Sequence, residues 1–383
     1  MAYFFTFTKL NKFKILFPSI QSIGIAVPPN KISQEFHYTI LESANGMSRA
    51  EKLQLRKIYS HSGIESRHSV LSEFGKTYDP GNILFHPVTE HAPTAISKRM
   101  DLFQHYASDL CEEAVHNCLS QLPELSVSSI THVITFSCTG MSAPGLDIQM
   151  VEKLNLQRSV ERTCINFMGC YAGINALKMA NHIARSEPGA VILLAAVELC
   201  TLHYQKNEKQ DQLIANALFS DGAAACIVSS KEISSSRTLA LRNFYSEFAP
   251  AGKDEMIWTI GDFGFDLRLS SYVPELIEKN ISSMVDKLFA SGNLTKHDID
   301  FYALHPGGVK ILEACERALN ISKDQNENSY NVLRNFGNMS SVTIFFVLKE
   351  YLKTFGKDDI GKKLFGCAFG PGLTMESFIA EVH

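Results

Sequence analysis

The chain has 383 residues, of which 45% are hydrophobic and 20% charged, and its formal net charge is -4. This composition is typical of a globular protein and excludes a disordered chain. Lys and Arg are scattered without a basic stripe, so the sequence offers no surface for nucleic acid. The longest apolar run, 190–200, is about half the ~20 residues that span a bilayer and contains Glu198, which predicts a buried strand and no membrane span.

Residues 1–19 carry aromatic residues and lysines without the ordered pattern of a signal peptide. We interpret them as an N-terminal extension of uncertain order before a domain that starts near Ile20. Nine cysteines occur without any C-x-x-C pair, which disfavours a zinc ribbon and a disulfide framework. We expect most of them to be small core residues of a cytoplasmic protein, and we expect no metal site.

Apolar, strand-like runs alternate along the chain with amphipathic, helix-like stretches, which predicts compact α/β layers. A strand, a turn and a helix occur around Cys170 and again at 301–319, which raises the hypothesis of two similar halves. The predicted strands are 132–138, 190–199, 223–230 and 301–305. The predicted helices are 102–121, 171–185, 274–291 and 342–353.

One cysteine stands where a strand-like run gives way to a helix-like run. In "CINFMGCYAGINALKMA" the strand ends at Phe167, the chain turns at Gly169, and a helix begins at or just after Cys170. Amide groups and the helix dipole at such a terminus stabilise a thiolate and lower the pKa of the thiol. Cys170 is therefore a candidate nucleophile for acyl groups, although a packed core cysteine is the commoner case for any single cysteine.

Two further polar residues could complete such a site. His305, in "LHPGG", ends a strand before a sharp turn, and a histidine can hold a cysteine's proton in a thiolate-imidazolium pair. Asn338, in "NFGNMSS", lies in a glycine-flanked turn before a helix, where its amide can donate to an oxyanion. Taken alone, a loop histidine and a turn or cap asparagine are the plainer interpretations.

Two glycine-containing segments are also candidates. "AFGPGLT" places Gly370, Pro371 and Gly372 in an apolar run, which predicts a rigid loop that brings backbone close to a bound group. Its spacing is not that of a dinucleotide-binding loop. "ALFSDGAAA" places Phe219 before a turn, where an aromatic core residue and a pocket wall are equally good interpretations.

Together these segments resemble the type III polyketide synthases, the chalcone-synthase-like enzymes, in their bacterial form. With "SIGIAVPPN" and "SGIESRHSV" the resemblance covers about residues 20–383. Six segments in the family's order are far more specific than any one of them. The six are NFMGCYAGINALKMA, ELCTLHYQ, NALFSDGAAA, ALHPGGVKILEA, NFGNMSSVT and AFGPGLTME.

The resemblance implies an α/β, thiolase-like fold that is duplicated and five-layered, αβαβα. It also implies a homodimer with one active site per subunit. We expect the first thiolase-like half, with the nucleophilic cysteine, at 20–237 and the second half, with the histidine and the asparagine, at 238–383.

The family pattern also implies roles for the candidates. Cys170 would carry the starter and then the growing chain as a thioester, with His305 as its ion-pair partner. His305 and Asn338 would bind the thioester carbonyl during malonyl decarboxylation, and Phe219 matches the gatekeeper between the CoA tunnel and the cavity. The implied substrates are an acyl-CoA starter and malonyl-CoA, and the product is a pyrone, resorcinol or related aromatic polyketide. No cofactor is implied beyond these CoA thioesters.

The cavity walls depart from those of the plant enzymes. Leu267 stands at the second gatekeeper phenylalanine, and Ala143 stands at a methionine that reaches across the dimer. These changes favour an aliphatic acyl-CoA or malonyl-CoA over coumaroyl-CoA as the starter. Other cavity positions are occupied here by Cys138, Cys200, His203 and Ser340.

The basic helix that contacts CoA phosphates is altered too. In "QLRKIYSHSG", Gln54 and His61 stand where plant enzymes have lysines, which makes Lys57, and after it Arg56, the candidates for phosphate contact. Solvated helix charges are an equally good interpretation of both residues.

Three alternatives stay open at this point. An initiating ketoacyl carrier-protein synthase shares the Cys-His-Asn set, although "PGG" after the histidine and "AFGPG" favour the polyketide branch. A hydroxymethylglutaryl-CoA synthase would need a catalytic glutamate that nothing singles out. A non-catalytic acyl-CoA-binding relative is disfavoured because all three catalytic positions are filled.

Overall fold

The computed structural model describes residues 17–42, 47–74, 94–205, 210–234 and 236–383. The predicted extension lies outside these residues except for 17–19, and the first strand begins at Ser19. In the described part of the chain, no helix is long and apolar enough to cross a membrane. All nine cysteines are free thiols.

The described residues form thirteen strands and ten helices. The strands are β1 Ser19–Ala26, β2 Asn30–Ser33, β3 Ser66–Ser69, β4 His132–Ser137, β5 Glu161–Asn166, β6 Val191–Leu199, β7 Asp221–Ser229, β8 Leu239–Phe248, β9 Met256–Gly261, β10 Gly264–Leu269, β11 Phe301–Leu304, β12 Lys363–Gly370 and β13 Thr374–Val382. The helices are α1 Gln34–Glu42, α2 Arg49–Ser60, α3 Ile96–Leu119, α4 Leu146–Lys153, α5 Ala172–Ser186, α6 Gln210–Leu218, α7 Val273–Ser291, α8 Val309–Leu319, α9 Glu327–Phe336 and α10 Thr343–Thr354.

The main sheet repeats one topology twice. Its order is β11-β12-β13-β8-β1-β7-β6-β4-β5. In the first half, β1 pairs antiparallel with β7, β7 pairs antiparallel with β6, and β6 pairs parallel with β4. The second half repeats this pattern: β8 pairs antiparallel with β13, β13 pairs antiparallel with β12, and β12 pairs parallel with β11. The halves join through a short contact of β1 with β8, so the structure shows one continuous sheet built from a duplicated unit.

Three apolar clusters separate the layers. The central cluster contains α5, α10 and strand residues of both halves, while the outer clusters pack α3 on the first half and α7 with α8 on the second. The order is therefore helix, sheet, helix, sheet, helix, which confirms the predicted five layers. β6 and β7 are buried along their whole length because helices cover both faces of the sheet.

Small residues let α5 lie tightly in the central layer. A Cβ on Gly173 would come within 2.6 Å of the Ser341 carbonyl oxygen, so only glycine permits this approach to the segment before α10.

The carboxyl ends of the parallel strands determine where the site forms. Cys138 follows β4, Cys200 follows β6 and His305 follows β11, and ligands of α/β sheets bind at such carboxyl ends.

Candidate active site

A cavity opens where the strand ends of the two halves face each other. Its empty volume, including the mouth, is about 750 Å³. That size is typical of a small-molecule site. No aspartate or glutamate lines it among the described residues. The residues predicted from the sequence that line it are Cys138, Cys170, Cys200, Phe219, Leu267, His305, Asn338, Ser340 and Pro371.

Cys170 lies in the turn between β5 and α5, two residues before the helix begins at Ala172. Gly169 has φ +85°, and a Cβ there would come within 2.2 Å of Pro371 Cδ, so the turn and the Gly-Pro-Gly loop are in close contact. The Cys170 sulfur lies 3.8 Å from Ser340 Oγ. Cys170 is therefore held between a segment of each half.

Three strained residues surround this turn. Six non-glycine residues of the described chain have positive φ, and three of them are asparagines, which adopt this conformation easily. The other three, Phe167, Ser340 and Leu373, have φ of 62°, 49° and 51° and flank the cysteine turn, the Asn338 segment and the Gly-Pro-Gly loop. Backbone strain gathers at functional sites, and here it marks the same cavity.

His305 follows β11 and lies at the wall of the cavity. Its backbone N-H donates to the Cys367 carbonyl at 2.9 Å, which fixes the turn. The side chain is buried, and neither Nδ1 nor Nε2 has a hydrogen-bond partner. An unsatisfied buried polar group costs about 1–3 kcal/mol, so an imidazole with two free nitrogens is arranged for a ligand.

Asn338 is held by backbone pairing with the Phe219 segment. Its N-H donates to the Leu218 carbonyl, and its own carbonyl accepts from the Ser220 N-H, both at 2.9 Å. Its side-chain Oδ1 accepts from the Ser340 N-H at 2.9 Å, which points the amide nitrogen to the other side. Nδ2 makes only a long hydrogen bond, 3.4 Å, to the Gly307 carbonyl and can donate to a ligand.

The predicted thiolate-imidazolium pair is not preformed in this structure. Burial raises the pKa of the Cys170 thiol to about 12, and the Ser340 and Asn338 donors only partly offset it. Burial lowers the pKa of His305 to about 3. Both groups are therefore neutral at pH 7, because desolvation outweighs the helix terminus on which the sequence prediction relied.

Glu198, interpreted from the sequence only as a charge within an apolar run, is a fully buried carboxylate beside the cavity. It accepts from the Cys138 N-H and Thr139 Oγ1, each at 2.9 Å, and from the Ser341 hydroxyl. Burial raises its pKa and these donors lower it. Its charge is a further reason for the raised pKa of Cys170.

His203 is not a wall of the main cavity, and that prediction is wrong. It lines a second, smaller cavity, with Nε2 2.6 Å from the Thr139 carbonyl and Nδ1 accepting from the Phe265 N-H. Burial lowers its pKa to about 3, so it is a neutral, satisfied core histidine. Ala143 lies elsewhere too, in a groove beside β5.

Of the Gly-Pro-Gly loop, only Pro371 lines the cavity. Gly370 instead packs on the Tyr171 ring, which a Cβ would approach to 2.5 Å, and Gly372 takes φ +72° in the turn. Arg56 and Lys57 are exposed on α2 and do not line the cavity, so their contact with CoA phosphates stays a prediction.

Sequence reasoning missed the hairpin of β9 and β10, which covers the cavity. Trp258 on β9 donates through Nε1 to the Cys138 carbonyl at 2.8 Å. Its ring lies 6.3 Å from the Phe219 ring and lines both the main and the second cavity. The available signals were that this is the single tryptophan of the chain and that residues 265–269, FDLRL, alternate between apolar and polar side chains.

Family models for the N-terminal and C-terminal domains of chalcone and stilbene synthases match residues 17–232 and 240–382. The chain belongs to the type III polyketide synthases. Type III polyketide synthase C of Arabidopsis thaliana is 30% identical to it over 377 residues, 94% of each chain. The alpha-pyrone synthesis polyketide synthase-like Pks18 of Mycobacterium tuberculosis is 28% identical over 335 residues, 87% of this chain and 83% of that protein.

Solved structures of type III polyketide synthases share the architecture. The crystal structure of PKS-I from the brown alga Ectocarpus siliculosus has a TM-score of 0.87 and 28% identity, and the match covers 97% of this chain and 100% of that chain. The C-terminal type III domain of Steely1 from Dictyostelium has a TM-score of 0.85 and 26% identity, covering 95% and 99%. The predicted thiolase-like fold is confirmed. This type III polyketide synthase is an acyltransferase that acts on acyl-CoA and malonyl-CoA, as its family does.

Proposed function

We propose that Cys170 of this type III polyketide synthase is the nucleophile that accepts the starter. The sulfur attacks the carbonyl carbon of an acyl-CoA, a new thioester bond forms, and the CoA thiolate leaves. Because Cys170 and His305 are both neutral in this structure, His305 takes the thiol proton during the attack and returns it to the leaving CoA sulfur.

The same histidine then works with Asn338 on malonyl-CoA. Loss of CO₂ leaves the electron pair of the broken C–C bond on the thioester as an enolate, whose oxygen accepts hydrogen bonds from an imidazole N-H and from Asn338 Nδ2. The enolate carbon attacks the thioester on Cys170, and the sulfur leaves. The absence of Asp or Glu from the described walls suits a carbanion, which an acid would protonate. These steps need no organic cofactor and no metal.

We propose an aliphatic acyl-CoA as the starter. Apart from the proposed catalytic residues and the hydroxyl groups of Thr139 and Ser340, the cavity is lined by aliphatic, aromatic and thiol side chains, among them Leu218, Met256, Leu269, Ile311 and Phe369. An aliphatic acyl chain gains free energy by leaving water for such a surface, whereas a phenol would need one of the few polar side chains of the cavity as a hydrogen-bond partner. We propose cyclisation to a pyrone or a resorcinol, and the name of the mycobacterial relative includes alpha-pyrone synthesis.

One observation carries the proposal more than any other. His305 is buried with two unpaired ring nitrogens at a cavity that also exposes the Cys170 sulfur and the Asn338 amide. A non-catalytic relative would gain stability by satisfying that histidine or by replacing it with an apolar residue.

The test is mass spectrometry of products formed from isotope-labelled malonyl-CoA with starters from acetyl-CoA to long-chain acyl-CoA, and with coumaroyl-CoA. We expect pyrones or resorcinols whose masses follow the aliphatic chain length. A parallel reaction with malonyl-carrier protein is the control for an initiating synthase. Exclusive use of the carrier protein, or a preference for coumaroyl-CoA, would contradict the proposal.

We also propose that the enzyme is a homodimer that assembles through the edge of its sheet. β5 has a sheet neighbour, β4, on one side only, and Arg162, Cys164 and Asn166 on it are exposed. An unprotected edge strand invites pairing with a second copy. The free thiols further favour a cytoplasmic location. Native mass spectrometry of the intact chain tests the dimer, and a monomer at micromolar concentration would contradict it.

A further inference from the structure

Three titratable side chains meet far from the cavity, at the opposite ends of the elements that hold Cys170. His132 begins β4, Glu161 begins β5, and Glu187 caps the C-terminal end of α5. His132 and Glu161 are direct partners in the parallel ladder of β4 and β5, so the sheet fixes the spacing of their backbones. We call these three residues the far-end cluster.

The distances within the far-end cluster are too long for hydrogen bonds but fit a shared cation. His132 Nε2 lies 3.6 Å from Glu161 Oε2 and 3.8 Å from Glu187 Oε2. One ligand atom from each residue lies within 4.8 Å of the other two. Around a tetrahedral ion with ligands at about 2.1 Å, ligand atoms stand roughly 3.4 Å apart, so small rotations of two exposed glutamates would complete the geometry.

Thr131 orients the His132 ring. The Thr131 hydroxyl oxygen lies 2.8 Å from His132 Nδ1, accepts from the Val191 N-H at 3.0 Å, and donates to the Val191 carbonyl at 3.2 Å. With its hydrogen on that carbonyl, the hydroxyl accepts from Nδ1-H, and Nε2 faces the two carboxylates. A hydrogen-bonded second nitrogen is the usual arrangement of a metal-binding histidine.

The local charge is unbalanced. In the part of the chain that the structure describes, no Lys or Arg forms an ion pair with Glu161 or Glu187, whose only ionic contact is His132. The C-terminal end of α5 adds partial negative charge at Glu187. Because His132 is only 6% exposed, little water separates its Nε2 from these charges. A bound cation at this position would offset the charge of the two carboxylates.

We propose that His132, Glu161 and Glu187 bind one divalent transition-metal ion of the zinc class, with water in the remaining position. One imidazole nitrogen and two carboxylate oxygens suit such an ion. The ion would fasten the starts of β4 and β5 to the end of α5, whose opposite ends place Cys138 and Cys170 at the cavity. Its role is structural, and it takes no part in the condensation.

The experiment uses the full chain, stripped of metal with a chelator and dialysed. Isothermal titration with ZnCl₂ and thermal denaturation with and without Zn²⁺ measure binding. The electronic spectrum of the Co²⁺ form shows whether a thiolate is a ligand. We expect one ion per chain, a higher melting temperature with Zn²⁺, and no thiolate-to-cobalt charge-transfer band, because no cysteine belongs to the far-end cluster.

Glu161→Gln and Glu187→Gln test the ligands at two exposed positions where the fold tolerates substitution. Each is expected to lower Zn²⁺ affinity at least about tenfold and to remove the rise in melting temperature. His182→Gln, at an exposed position of the same helix, is the matched control and should change neither. Unchanged affinity in either glutamate variant would place the ion elsewhere and overturn the proposal. A thiolate band would assign the binding to cysteines and overturn it as well. Absence of binding would overturn it too.

Discussion

Helices α5 and α10 occupy matching places in the two halves of this type III polyketide synthase, and both begin at the cavity. Each lies in the central layer between the two parts of the sheet. Cys170 comes just before α5, whereas Asn338 and Ser340 come just before α10. The same position therefore presents a sulfur in the first half and amide and hydroxyl groups in the second.

The difference shows why the two halves depend on each other. The surroundings of α5 bury the thiol and raise its pKa, while the groups that lower that pKa, Ser340 and Asn338, belong to the α10 segment. His305, the proposed acceptor of the thiol proton, also belongs to the second half. In the proposed mechanism, the first half supplies the nucleophile and the second half supplies the side chains that stabilise charge on it or on the substrate.

Replacing Cys170, the proposed nucleophile before α5, should have the largest effect on activity. We expect Cys170→Ala to abolish acyl loading and to lower product formation by at least about a thousandfold, because no other group in the cavity forms the thioester. Intact-protein mass spectrometry after incubation with acyl-CoA measures loading. Cys164→Ser, at an exposed cysteine of β5, is the control and should still load. Loading of the Cys170→Ala protein at another cavity cysteine would refute the assigned role.

Removing the donor at α10 should leave loading intact and slow decarboxylation. We expect Asn338→Ala to lower kcat for CO₂ release from malonyl-CoA by about 10²–10³, the usual cost of one oxyanion donor, with a smaller change in KM. Asn335→Ala, at an exposed asparagine of α9, is the control. Equal decarboxylation by the Asn338→Ala protein and the native enzyme would show that the enolate oxygen is bound elsewhere.

Much of the fold follows from the sequence because its central elements are strongly patterned. The helix predicted at 171–185 is observed at Ala172–Ser186, and the strand predicted at 190–199 is observed at Val191–Leu199. The β9–β10 hairpin was not predicted. Residues 265–269 of β10 do alternate between apolar and polar side chains, but its partner β9 is apolar at four of six positions and shows no such alternation.

The residues that form the site could be predicted from the sequence, but their protonation states could not. Chain order and the family resemblance brought Cys170, His305 and Asn338 together, whereas the neutral state of the thiol and the imidazole depends on burial among residues distant in sequence. His203 was misplaced for the same kind of reason. The family resemblance gives its position in the turn after β6, but only tertiary packing places its ring against Trp258 in the second cavity.

The buried neutral His305 should make the enzyme sensitive to acid. Its pKa falls from 6.5 in the unfolded chain to about 3 in the folded chain, so below pH 6.5 only the unfolded state takes up the proton. The stability this group contributes above pH 6.5 is therefore lost as the pH falls towards 3, by up to about 1.4 kcal/mol per pH unit. We expect His305→Gln to reduce the slope of the free energy of unfolding against pH by that amount between pH 6.5 and 4.5, measured by urea denaturation. His182→Gln should keep the native slope, and an unchanged slope in His305→Gln would show that His305 is not held neutral.

The smallest expected effect concerns one contact between the segments that precede α5 and α10. The Ser340 hydroxyl, 3.8 Å from the Cys170 sulfur, is the largest of the influences that lower the pKa of the thiol. Without it the pKa rises further, and the thiolate fraction at pH 8 falls by the same factor, roughly fivefold for a hydrogen bond of about 1 kcal/mol. We expect Ser340→Ala to slow iodoacetamide labelling of Cys170 to that extent in a Cys164→Ser background, where the exposed cysteine cannot compete. Ser142→Ala, outside the cavity, should react at the native rate. Faster labelling in Ser340→Ala would mean that the hydroxyl shields the sulfur from the reagent more than it stabilises the negative charge on the sulfur. The second half would then hold Cys170 by packing and not by hydrogen bonding.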